Sequence, residues 1–148
     1  MVADRERLGK RWALLGGWMV SAGVVPDVQA GSVFEGGLAL VRNQAMFTPP
    51  APQAAVHTLT GRLWSARQQH AVEVDDAVVA LMSAEDFDVD MWGNRVMVSG
   101  VLTVENRWWQ PGPLRDLLPR GWRSWRVLER QDAGRGMSRD QMVLLEPA

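Results

Sequence analysis

The second half of the chain alternates between apolar and polar positions. In "VHTLTGRLW" (56–64), Leu59 and Leu63 fall on one side of an extended strand, with Thr58, Thr60, Arg62 and Trp64 on the other. "HAVEV" (70–74) puts Val72 and Val74 on one face, Asp75-Asp76 supply a turn, and "AVVALMS" (77–83) is a nearly continuous apolar run. "RVMVSGVLTVE" (95–105) alternates through Val96, Val98, Leu102 and Val104. Gly100 lies in the same row, and a glycine inside such a strand marks a bulge or sharp bend. "WRSWRVLER" (122–130) and "QMVLLE" (141–146) are the last strand candidates. Between these segments, "EDFDVDMWGN" (85–94) and "PGPLRDLLP" (111–119) read as connections with short turns or helices.

The first third reads differently. Leu8, Trp12, Leu15 and Met19 recur at helical spacing and predict a short helix within 4–20. Gly9, Gly16 and Gly17 weaken it by roughly 1 kcal/mol each. "SVFEGGLALVRN" (32–43) sets two apolar runs about Gly36-Gly37, the pattern of a β-hairpin. Together they form an arm over 1–47. A proline-rich, extended linker over 48–55, "TPPAPQAA", separates the arm from the β-rich region 56–148.

Composition narrows the function classes. Hydrophobic residues make up 47% of the 148 positions and charged residues 22%, as in a folded globular domain. The net charge of −1 gives no general attraction to polyanions, so any nucleic-acid contact needs a local patch. With no cysteine, disulfides, zinc–thiolate sites and thiol catalysis are excluded. No apolar run reaches the length of a transmembrane helix. Basic residues followed by "WALLGGWMVSAGVV" (12–25) and "VQA" (28–30) resemble a signal peptide over 1–30, which implies export. Two tryptophans and a Gly-Gly pair inside the apolar stretch favour instead a retained, packed arm and a cytoplasmic protein.

Several phrases resemble the OB-fold over about 56–148. "HTLTGRLW" is similar to its first strand, with a glycine where that strand bends around the barrel. "HAVEVDDAVVALMS" is similar to the hairpin of strands 2 and 3. Gly93, Asn94, Arg95, Val96, Val98, Gly100 and Leu102 stand where that family opens strand 4. Either "WRVLER" or "MVLLEP" would supply strand 5. The resemblance implies a mostly β chain: a small five-stranded OB-like barrel carrying an N-terminal arm of helix and hairpin. It also implies binding of single-stranded DNA or RNA across strands 2 and 3 and the neighbouring loops. Glu73 and Asp75 on that face depart from the pattern, because they would repel phosphates.

Charge and tryptophan are unevenly distributed. Residues 68–94 hold seven carboxylates and no Lys or Arg, whereas 107–139 hold eight arginines. Arg and Trp are suited to planar stacking, so the expected nucleic-acid site comprises Arg62, Trp64, Arg107, Trp108, Trp109, Trp122, Arg123, Arg126 and Arg135. Indoles would stack on bases and guanidiniums would hold phosphates. The competing reading is a protein-interaction subunit, or a homo-oligomer formed through the arm, with the same residues as anchors. Alternation within "GWRSWR" (121–126) sends Trp125 toward the core with Val127, and Trp122 toward the open side with Arg126. "DAGRGMSRD" (132–140) reads as a mobile loop without the Gly-Lys-Ser/Thr ending of a P-loop. Asp86, Asp88 and Asp90 fail as an EF-hand, because Met91 and Met97 stand where glycine and Glu are needed. Neither His57 nor His70 sits in a nucleophile–base motif. The sequence therefore predicts no enzyme, no cofactor and no metal site.

Overall fold

The computed structural model describes residues 7–41, 52–66, 69–82, 90–92, 95–107, 109, 121–133 and 140–148. The chain is mostly β, and five strands close into an OB-like barrel. The barrel strands are β3 (Leu38–Val41), β4 (Val56–Ala66), β5 (Gln69–Glu73), β6 (Val78–Met82) and β8 (Arg95–Val104). Strand β8 pairs with β3, then the order runs β6, β5 and β4, and β4 returns to β8. The inward rows supply Leu38, Leu40, Leu59, Val72, Val79, Leu81, Val96, Val98 and Leu102 to one core, all fully buried. At roughly 25 cal/mol per Å² of apolar surface, burial of these branched side chains is the main force closing the ring.

The alternation that predicted β4, β5, β6 and β8 holds, but the closing strand comes from elsewhere. The place parallel to β6 and antiparallel to β8 belongs to the last strand of an OB barrel, and here β3 fills it, ahead of β4 in the chain. Register fixes it: Ala39 lies beside Ala80 and Leu40 beside Leu102. The segments expected to supply that strand, β9 (Arg123–Asp132) and β10 (Gln141–Pro147), pair with each other instead. Their alternation said that they were strands and which face was apolar, and left their partners open.

β9 and β10 belong to a four-stranded extension of the same continuous sheet, a second sheet beside the barrel, in the order β2 (Val33–Gly36), β9, β10 and β1 (Arg11–Leu15). It joins the barrel where Leu14 of β1 meets Thr103 of β8. Its inner face adds Ala13, Leu15, Phe34, Trp125, Val127, Val143 and Leu145 to the same core. Residues 11–15 thus form a strand against β10 and not the first turns of a helix. Among the described residues of this stretch, the helix is α1 (Gly17–Ser21). The apolar positions of this stretch fit either period, and five register pairs with β10 decide for the strand.

The two runs flanking Gly36-Gly37 are strands, yet they pair with different neighbours, β2 with β9 and β3 with β8 and β6. Gly37 is therefore a corner between the two sheets. Asn106 pins that corner: its Oδ1 accepts from the Gly37 N–H at 3.2 Å and its Nδ2 donates to Val24 O at 3.0 Å. The last residues of the linker form a 3-10 turn, Gln53–Ala55, whose Ala55 is buried against Leu14, Val101 and Met142. Residues 85–94 contribute a short strand, β7 (Asp90–Trp92), paired with the start of β8. Among the described residues, no helix is long and apolar enough to cross a membrane.

Candidate functional site

The outer barrel face of β3, β6, β5 and β4 has a distinctive floor. One register row runs Ala39, Ala80, Ala71 and Trp64. Three alanines leave a shallow depression, and the indole of Trp109 fills it, fully buried, with its Nε1–H donating to Leu38 O at 3.0 Å. Gly37 and Gly121 close on the ring, and a Cβ at either position would overlap it. Trp64 and Trp122 pack half-buried at the border of this cluster. The structure thus brings Arg62, Trp64, Trp109 and Trp122 to one face. Trp109 differs from its expected role, because a wholly buried ring has no face free to stack on a base.

Trp64 keeps a polar tip and a cationic cover. Its Nε1–H donates to Glu73 Oε1 at 3.1 Å, and the Arg62 guanidinium lies 4.2 Å from its ring centroid. Arg62 is exposed and is the register partner of Arg95 on β8, which is exposed too. The sequence placed Arg95 only at the opening of a strand, and its pairing with Arg62 needed the β4–β8 register. Glu73, expected only to repel phosphate, is here held by the Trp64 indole and lies across from Arg62.

Arg107, Arg123 and Arg126 lie elsewhere and are engaged. Arg107 grips the buried Glu105 carboxylate with Nε at 3.2 Å and Nη2 at 3.1 Å. Donating these hydrogen bonds to Glu105 raises the Arg107 pKa. Its guanidinium also covers the Trp18 ring at 4.4 Å, and Trp18 is 54% exposed. Arg123 donates from Nη1 to Asp76 O at 2.7 Å, and Arg126 pairs with Glu146 at 3.3 Å on the second sheet. Arg107 and Arg126 therefore stand outside the barrel-face cluster. Trp108 and Arg135 lie outside the described residues, as do Asp86, Asp88 and most of the glycine-rich loop 132–140. The Trp18–Arg107 stack was missed because the sequence assigned Trp18 to the packed arm.

The two histidines make local contacts. His57 Nε2 lies 2.7 Å from Trp12 O, so the proton sits on Nε2, and Nδ1 faces Arg11 Nη1 at 3.5 Å. Burial pushes its pKa down, with the Arg11 charge in the same direction and the Trp12 bond opposing. His70 Nδ1 lies 2.6 Å from Ser65 Oγ, its cross-strand partner between β4 and β5. Among the described residues, no group of three His, Asp or Glu side chains is placed to hold a metal ion.

Compared with protein-family models, with curated proteins and with solved structures, the chain matches none. The fold and the side-chain geometry therefore carry the functional argument.

Proposed function

We propose that this protein binds single-stranded nucleic acid, without catalysis, on the outer face of β4 and β8. One observation carries the reading: the exposed Arg62 stacks on Trp64 with Arg95 beside it in register. Two guanidiniums there would take successive phosphates. A base would slide onto the Trp64 indole in place of Arg62, retaining a planar partner. Trp122, half-buried at the edge of the same cluster, would extend the surface. This site is smaller than nine residues, because Trp109 is buried and Arg107, Arg123 and Arg126 serve the fold.

Tryptophan fluorescence titrated with oligo-dT tests it. Quenching is expected at low salt, weakening as salt rises, because each phosphate contact releases counterions. Arg62→Gln should weaken binding about tenfold, within the roughly 1–3 kcal/mol of a stacking contact, and leave the melting temperature unchanged. Absence of quenching at about 50 mM salt sinks the proposal. A second reading, a protein-interaction subunit, is favoured by the Arg107–Trp18 stack, since an exposed tryptophan with a cationic cover is a common interface anchor.

A further inference from the structure

We infer that β2 is the seam of a homodimer, in which two copies pair their β2 edges antiparallel and the second sheet continues across the interface. Among the described residues, β2 has a strand partner on one side only, β9. The ladder sets which groups face the other side. Val127 donates to Ser32 O at 2.9 Å and accepts from Gly31 N–H at 2.8 Å, so Ser32 is bonded to β9. Bonded and non-bonded positions alternate along an antiparallel pair. Phe34 is therefore bonded to β9, and Val33 and Glu35 turn their N–H and C=O groups away from it. Both side chains are exposed, Val33 to 53%, and Phe34 is buried in the core. No proline or lysine interrupts β2 to discourage pairing.

The edge is complementary to itself. Centring the pair on Phe34 sets Val33 opposite Glu35 of the second copy, and on both sides those are the residues whose backbone groups turn away from β9. Four edge hydrogen bonds follow, and every side chain keeps its face. Centring on Glu35 would oppose two like charges, and a shift of one residue would send exposed and buried faces to the same side. In the favoured register Glu35 of the second copy arrives on the same face as Arg126, the β9 partner of Val33. Arg126 is half-exposed and already bridges to Glu146, so it gains a second carboxylate.

Sedimentation equilibrium of the full chain over about a hundredfold range of concentration tests the inference. The expected mass is twice 16.5 kDa, falling to the single value on dilution. Val33→Pro removes an outward N–H without touching the β9 ladder and should leave the chain at its single mass with unchanged circular dichroism. Glu35→Arg, at an exposed side chain, should do the same by repelling Arg126, and it decides the matter alone if the proline variant misfolds. A single mass at every concentration, or a dimer that survives both substitutions in folded form, overturns the assignment.

Discussion

At the scale of single residues, the depressed pKa of His57 makes a prediction about pH. Burial disfavours its cation in the folded chain, whereas the unfolded chain titrates near the ordinary value of 6.5. The unfolded state therefore takes up a proton that the folded state refuses. The contribution of His57 is fully present above pH 6.5 and is lost as the pH falls through the lower, folded pKa. Urea denaturation at about pH 8 and about pH 5.5 should show this loss, and His57→Gln, which keeps a donor toward Trp12 O, should reduce the difference. The same scale shows what a sequence hides. His57 was legible as a residue near a strand start, but its burial comes from Trp12 and Arg11 of β1, a segment that reads as helix. Trp109 is a sharper case: its burial depends on alanines of three strands and on Gly37 and Gly121, which no local pattern brings together.

At the scale of elements, β9 tests how far alternation can be trusted. Trp125 is fully buried, donates from Nε1 to Gly36 O at 2.9 Å and shares the core with Val127, whereas Trp122 stands before the strand and is half-buried. Trp125→Ala should cost about 3–5 kcal/mol in equilibrium unfolding, because it leaves a large cavity and removes the Nε1–H bond to Gly36 O. Trp122→Ala should cost clearly less, and equal losses would mean that both indoles serve the core. A period of two requires no knowledge of the partner strand, so it survives translation from sequence to structure. Partner choice does not: β1 was read as helix and β3 as half of a hairpin, because both commitments are made by strands far along the chain. Gly100 shows the same limit. It was legible as a special position, but the cause is the close approach of Val41 O from β3.

At the scale of the whole molecule, the barrel and the second sheet share one core, and chain order is woven between them. The closing strand of the barrel precedes the other four, and the outermost sheet order places β1 beside β10. Removing Gln141–Pro147 should therefore do more than shorten an end. β1 and β9 would lose their shared partner, and Val143 and Leu145 would leave the core. The expected outcome is loss of cooperative thermal unfolding for the entire chain, measured by calorimetry. A truncated chain that still melts in one sharp transition would show that the barrel stands alone.

The pairing of Arg11 with Leu145 also has a consequence for synthesis. A ribosome makes β1 long before β10. Ala13 and Leu15 must stay without their final neighbours until β10 has been made. Barrel strands can assemble on the nascent chain, but the second sheet cannot be completed before β10 has emerged. Protection of the apolar residues of β1 while the barrel strands are being made therefore matters a great deal to this protein.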